Sequence, residues 1–86
     1  MTDSFPIWVH AVGWFGGGLV VIAYLLNTTG KLTATHISYQ LLNLIGSIAL
    51  IVNTAIVGAY PSTAVNIIWV FIAVLGLWKG VKEKFL

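Results

Sequence analysis

The chain contains no cysteine, which excludes a disulfide framework and a thiolate metal site. Charge is also scarce: only 7% of the 86 residues are Asp, Glu, Lys or Arg, whereas a soluble domain carries about 25%. Hydrophobic residues make up 59% of the sequence, and a chain this short cannot hide so much apolar surface in a core of its own. The composition therefore predicts a membrane protein whose apolar surface faces the lipid bilayer.

Carboxylates and histidines are too few and too widely separated to indicate a catalytic or metal site. The two acidic residues, Asp3 and Glu83, lie at opposite ends of the sequence. His10 and His36 are predicted near opposite membrane faces, and no nucleophile–base pair can be placed together. We therefore expect no enzymatic activity, no metal and no cofactor. The net charge of +2 comes mainly from the end of the chain and does not indicate a nucleic-acid partner.

Three long apolar segments dominate the sequence. They predict transmembrane helices over about residues 7–26, 37–57 and 63–78, within a single domain of residues 1–86. The first segment has no charge and matches a hydrocarbon core of about 30 Å at about 1.5 Å per residue. No basic region precedes it and no clean cleavage site follows it, so we expect a membrane span rather than a signal peptide. The predicted fold class is an all-α membrane protein with three transmembrane helices.

Basic residues are confined to one side of this predicted topology. Lys31 lies in the first loop, and Lys79, Lys82 and Lys84 follow the third span. The N-terminal arm and the second loop contain neither Lys nor Arg. The positive-inside rule therefore predicts that the N-terminus is outside and the C-terminus is cytoplasmic.

Glycines recur at positions where helices can approach closely. Gly13 and Gly17 form a G-x-x-x-G motif in the first span, and small residues at this spacing let two helix backbones come together in lipid. Gly76 and Gly80 repeat the spacing in the third span. Together with Gly46 in the second span, these are the predicted helix-packing positions.

The second span carries a stripe of hydrogen-bonding side chains. Five of them project within roughly 60° of one another at the helical period, namely His36, Gln40, Asn43, Ser47 and Thr54. Amides are costly in hydrocarbon unless they find partners, so this stripe is expected to face protein. Two interpretations stay open: the side chains bond to neighbouring helices, or they line a pathway or binding site.

Three further side chains bear on that choice. Asn53 projects about 80° away from Asn43 and is expected to serve a different contact. Asn66 is the only polar side chain well inside the third span, and it shares a helix face with Trp69. An amide beside an aromatic ring suits a polar ligand with a flat or sugar-like face. The predicted substrate-lining residues are therefore Gln40, Asn43, Ser47, Asn66 and Trp69.

Short motifs along most of the chain resemble those of a known family. They are Ala23-Tyr24, Gly30-Lys31-Leu32, the run Tyr39-Gln40-Leu41-Leu42-Asn43-Leu44 with Gly46, Pro61-Ser62, and Trp69. Between about Val12 and Leu77 the chain looks like a member of a family of short, uncharacterised bacterial three-helix membrane proteins. The resemblance implies a multi-pass protein of the bacterial inner membrane and carries no established activity.

A more distant resemblance is to the PQ-loop superfamily, and within it to the SemiSWEET-like half-transporters related to sugar carriers. The similar positions are Ile37-Ser38 after a short basic loop, Gly46, Gly58 and Asn66. This resemblance implies two paired copies that enclose a substrate site, with Asn66 in contact with the substrate. The chain departs from the pattern at Ala23-Tyr24, where the Pro-Gln pair is absent, and near Leu50, where the Trp of the second helix is absent.

A single copy is expected to bury too little protein surface to hide the polar stripe. We therefore expect a homodimer, a six-helix bundle about a two-fold axis along the membrane normal. The predicted function is a half-transporter for a small polar solute, and the alternative is a non-transporting accessory or scaffold subunit of a larger membrane complex. An ion or proton path is disfavoured because no ionisable group lies in the middle of a span.

Overall fold

The structure is a computed structural model that describes residues 4–85. It contains three α-helices, α1 (Ile7–Thr28), α2 (Ile37–Ile56) and α3 (Tyr60–Phe85). Each helix is long and apolar enough to cross a membrane. The predicted all-α class with three helices of membrane-spanning length is therefore confirmed. Asp3 and the other residues of 1–3 and 86 lie outside the described part of the chain.

The helix ends follow from local chemistry. His36 precedes α2, and its Nδ1 accepts a hydrogen bond from the backbone N–H of Ser38 at 3.1 Å. Pro61 lies in the first turn of α3, where its missing N–H leaves no hydrogen bond unmade. α3 continues to Phe85, whereas the apolar pattern predicted an end near residue 78. Lysines support this extension, because they are good helix formers and are stabilised near the negative end of the helix dipole.

Two short connections reverse the chain direction and make neighbouring helices antiparallel. Residues 29–36 join α1 to α2, and residues 57–59 join α2 to α3. Gly30 and Gly58 have φ angles of 80° and 81°, in the left-handed region that glycine occupies without a steric penalty. Each glycine therefore lets its helix stop and the chain turn within a few residues.

α2 is the central helix of the fold. It packs against α1 on one side and α3 on the other, whereas α1 and α3 make no close backbone approach within residues 4–85. A third of the apolar stretch of α2 is buried (33%), compared with 17% in α1 and 11% in α3. The two outer helices therefore leave most of their apolar surface for lipid or for another protein.

α1 and α2 come into backbone contact at two glycines. A Cβ atom built on Gly16 would lie 2.6 Å from the carbonyl oxygen of Gly46, and one on Gly46 would lie 2.8 Å from that of Gly16. Gly13 lies one turn away against the side chain of Asn53, where an added Cβ would come within 2.6 Å. Gly17, predicted to pack, has nothing within 4 Å of its Cβ position. The crossing uses Gly16 instead, because adjacent helical residues point about 100° apart.

α3 approaches α2 and the first loop through its own pair of glycines. A Cβ atom on Gly76 would press into the side chain of Gln40, and one on Gly80 would overlap the backbone carbonyl of Thr35. Both positions lie at contacts that a larger residue would block. The C-terminal half of α3 is therefore held against α2 and against residues 29–36.

Candidate functional site

A cavity lies between α2 and α3, at the end of the molecule that carries the first loop. Its volume is about 170 Å³. The lining combines two side-chain amides and two aromatic rings with small and aliphatic side chains. The lining residues are Ala34 from the first loop, Tyr39, Gln40 and Asn43 from α2, and Trp69, Ile72 and Ala73 from α3. None of them carries a formal charge, so the cavity suits a neutral polar ligand.

Asn43 is the central polar group of this cavity. The residue is only 6% exposed, and its amide makes no hydrogen bond to any residue between 4 and 85. The side-chain amide of asparagine has two N–H donors and a carbonyl oxygen that can accept two hydrogen bonds. Among the described residues the fully enclosed unbonded polar atom is Oγ of Ser47 and not an atom of the Asn43 amide, so this amide keeps some accessible surface on the cavity side. The cavity beside Asn43 is where ligand or solvent atoms would supply the missing hydrogen bonds.

Gln40 lies one turn before Asn43 and is equally buried, at 6% exposure. Its side-chain Nε2 donates a hydrogen bond to the backbone carbonyl of Ala34 in the first loop. The absence of a side chain at Gly76 leaves the space that Gln40 occupies. Gln40 therefore ties the first loop to α2 at the edge of the cavity, while Asn43 stays unbonded.

Trp69 lines the cavity from the α3 side and is 42% exposed. The helical period predicted that its ring pairs with Asn66, but the structure brings Trp69 together with Asn43. Asn66 is not among the lining residues, and its Nδ2 donates to the backbone carbonyl of Ser62 at 2.9 Å within α3. The amide of Asn66 is thus engaged by its own helix.

Ser47 follows Asn43 by one helical turn and does not line the cavity. It is fully buried, and its Oγ has no hydrogen-bond partner among the described residues. Asn43 and Ser47 are therefore two successive unbonded polar side chains on the buried stripe of α2. The predicted polar stripe therefore lacks hydrogen bonds in its middle section. A single copy nevertheless buries four of its five members, Gln40, Asn43, Ser47 and Thr54, so the expectation that one copy cannot hide the stripe is wrong.

The far end of the stripe is fully bonded. Thr63 on α3 donates through Oγ1 to Oγ1 of Thr54 at 2.8 Å, and Thr54 in turn donates to the backbone carbonyl of Leu50 at 2.7 Å. Asn53, on a different side of α2, donates through Nδ2 to the carbonyl oxygen of Val9 in α1 at 2.8 Å. The prediction that Asn53 serves a separate contact is confirmed. Helix-to-helix bonding thus accounts for this part of α2.

Four of the lining residues were not predicted from the sequence, namely Ala34, Tyr39, Ile72 and Ala73. Tyr39 is adjacent to Gln40 in the motif that opens α2, so its position offered a signal. Ala34 comes from the loop, and its role depends on how that loop folds back over the end of α2. No sequence period extends through an irregular loop, so no pattern indicated Ala34.

No charged residue lines the cavity, although the charged residues lie at the same end of the molecule. Five charged residues are described, and they are Lys31, Lys79, Lys82, Glu83 and Lys84. They lie at one end of the molecule, because Gly80 of α3 packs against Thr35 of the first loop. Within residues 4–85 no group of three His, Cys, Asp or Glu side chains is placed to hold a metal ion.

The fold and the cavity define a small all-α protein with three helices of membrane-spanning length and an uncharged polar site between the second and third. The chain belongs to an uncharacterised bacterial protein family, whose model matches residues 9–84. This confirms the resemblance to such a family along most of the chain. No curated protein and no solved structure matches this chain.

Proposed function

We propose that this chain is a multi-pass protein of the bacterial inner membrane and one half of a transporter for a small polar solute. The observation that carries the proposal is Asn43, a residue that is 6% exposed and lines a cavity of about 170 Å³, with an amide that makes no hydrogen bond within the described chain. A buried amide is favourable only when it has partners. Solute groups bound in the cavity provide those partners.

The aromatic rings of Tyr39 and Trp69 supply the remaining recognition. Both line the cavity, and flat apolar surfaces combined with a few polar groups are typical of sites for small molecules. A ring or sugar face stacks on an aromatic side chain while its polar edge bonds to Asn43. Since no lining residue is charged, the preferred solute is neutral.

The proposed active form is a homodimer with its two-fold axis along the membrane normal. Trp69 is 42% exposed although it lines the cavity, which supports an opening that a second copy covers. Parallel repeats about such an axis are a known transporter architecture, and the PQ-loop resemblance of the sequence points to the same assembly. The lysines at one end of the molecule favour a cytoplasmic C-terminus and an outside N-terminus.

Cysteine accessibility tests this proposal directly, because the chain has no native cysteine. We expect Asn43→Cys to react with a membrane-impermeant, water-soluble thiol reagent, and a transported solute to slow the reaction. The matched control is Ile48→Cys, whose position is 49% exposed on the apolar surface and is expected to be covered by lipid. An inert Asn43→Cys in a protein that remains helical contradicts the proposal.

The homodimer is tested separately by the detergent-corrected mass of the purified protein. A mass of two chains agrees with it, and a mass of one chain contradicts it. Disulfide formation between copies of Trp69→Cys would further place the cavity openings next to each other.

An accessory or scaffold subunit is the second candidate function. The bonds from Thr63 to Thr54 and from Asn53 to Val9 favour it, since both use polar groups of α2 to hold a neighbouring helix. In that case the amide of Asn43 bonds to a partner helix in the membrane. An inert Asn43→Cys, together with stable co-purification of one other membrane protein that is lost in Asn43→Leu, would support the scaffold instead.

A further inference from the structure

The C-terminal part of α3 is a continuous helix to Phe85, so its basic residues are held in a defined arrangement. Trp78, Lys79, Lys82 and Glu83 line a surface groove of about 470 Å³, which we call the lysine groove. The Nζ atom of Lys82 lies 5.1 Å from the centre of the Trp78 ring, within the range of a cation–π contact. The lysine groove therefore places an aromatic ring next to an ammonium group.

The charge of the lysine groove fits a single negative charge. Lys79 and Lys82 contribute two positive charges and Glu83 one negative charge. The groove therefore has a net charge of +1, and a phosphodiester with one negative charge complements it.

An apolar stripe leads along α3 to the same place. Phe71, Leu75 and Trp78 recur with Lys82 at spacings of four, three and four residues, which puts them on one helix face. The three apolar side chains are between 62% and 66% exposed. The stripe therefore offers a track for acyl chains that ends at an aromatic ring and an ammonium group.

We propose that the lysine groove binds the headgroup of a monoanionic phospholipid, with the lipid acyl chains along Phe71 and Leu75. Tryptophan favours the headgroup level of a bilayer, and lysines beside a membrane surface attract anionic lipids. The apolar track distinguishes a lipid from free phosphate, which has no group to place against it. This site is separate from the α2–α3 cavity and does not depend on what that cavity binds.

Native mass spectrometry of the full chain in a neutral detergent tests the proposal. We expect one phosphatidylglycerol to be retained per chain at concentrations where phosphatidylcholine is not. Lys79→Gln and Lys82→Gln should each weaken phosphatidylglycerol binding about fivefold. The matched control is Lys31→Gln, which removes the same charge at the same end of the molecule but outside the groove, and it should change binding less than about twofold.

Further variants distinguish a lipid site from diffuse charge attraction and from a phosphate site. Lys82→Arg should retain binding because it keeps the charge over Trp78, and Leu75→Ser should weaken binding because it interrupts the acyl track. Equal losses in Lys31→Gln and Lys82→Gln would overturn the proposal in favour of diffuse attraction. Displacement of phosphatidylglycerol by an equal concentration of glycerol phosphate would also overturn it, since the groove would then recognise phosphate alone. Circular dichroism verifies that each variant keeps its helices.

Discussion

Glycines bring α2 close to both outer helices, but the polar side chains of α2 are bonded on the α1 side and partly unbonded on the α3 side. On the α1 side, Gly16 and Gly46 bring the two backbones into contact, and Asn53 bonds to the carbonyl of Val9 at 2.8 Å. On the α3 side, Asn43 is buried beside a cavity without a hydrogen-bond partner in residues 4–85. The first interface satisfies its polar groups, whereas the second leaves some of them available.

This difference suggests that the α1–α2 interface stabilises the fold and that the α2–α3 interface binds a ligand. Helices in lipid associate through close packing and interhelical hydrogen bonds, because lipid competes for apolar surface as well as another helix does. The α1–α2 interface supplies both forms of stabilisation. A polar group left unbonded inside a protein is rare, and a binding site is one setting in which it occurs. We therefore expect substitution of Asn53 and of Asn43 to change stability in opposite directions.

The largest expected effect is at the glycine crossing. Gly16→Ala places a Cβ 2.6 Å from the carbonyl oxygen of Gly46, and a backbone atom cannot move aside cheaply. We expect the free energy of unfolding to fall by about 2 kcal/mol. The measurement is unfolding by dodecyl sulfate in mixed micelles, followed by circular dichroism.

Gly17→Ala is the control for this substitution, in the same helix and one position along. Nothing lies within 4 Å of its Cβ position, and alanine favours a helix over glycine by about 1 kcal/mol. The variant should be as stable as the parent or more stable. If both alanine variants lose the same free energy, the backbone contact at Gly16 does not hold α1 to α2.

Replacing either of two asparagines of α2 with leucine should change the free energy of unfolding, but in opposite directions. Asn53→Leu removes a bond to α1, and interhelical bonds in membranes contribute about 0.6 kcal/mol on average and up to about 1.7 kcal/mol. Asn43→Leu removes an unbonded buried amide, so we expect it to raise the free energy of unfolding by about 1 kcal/mol. The same mixed-micelle unfolding compares the two variants.

Asn43→Leu should also abolish solute binding, which isothermal calorimetry measures once a ligand of the parent is found. Asn53→Leu should bind that solute as the parent does, since Asn53 does not line the cavity. A marked loss of stability in Asn43→Leu would indicate that the Asn43 amide already has a structural partner in the membrane.

The smallest expected effect concerns the bonded end of the α2–α3 interface. Thr63 donates to Thr54 at 2.8 Å, and a double-mutant cycle of Thr54→Val and Thr63→Val isolates that contact. We expect a coupling energy of about 0.6 kcal/mol. Zero coupling would mean that these two hydroxyls do not hold α2 to α3.

Much of the fold was predictable from particular residues. Gly30 and Gly58 in the two loops separate the apolar runs, and helices begin at Ile7 and Ile37 as the pattern predicted. The end of α3 was not predictable from hydropathy, because Lys79 to Lys84 continue the helix without continuing the apolar pattern. Apolar length identifies the part of a helix within lipid, not the whole helix.

The candidate site was only partly predictable. The helical period brought Gln40, Asn43 and Ser47 to one face of α2, and these residues are buried. The period could not show that Asn66 bonds within its own helix at Ser62. Choosing among partners for an amide requires distances between atoms, and a sequence period supplies only directions around one helix.

The amino-acid sequence was sufficient to define three apolar helices and the position of the lysines relative to them, since these depend on the length and composition of single segments. The three-dimensional arrangement was needed to establish that α2 lies between α1 and α3, that Gly16 rather than Gly17 makes the crossing, and that Asn43 borders a cavity. Lipid-facing and protein-facing surfaces are both apolar in such a chain, so composition does not say which surfaces meet. Shape and hydrogen bonding between helices make that choice.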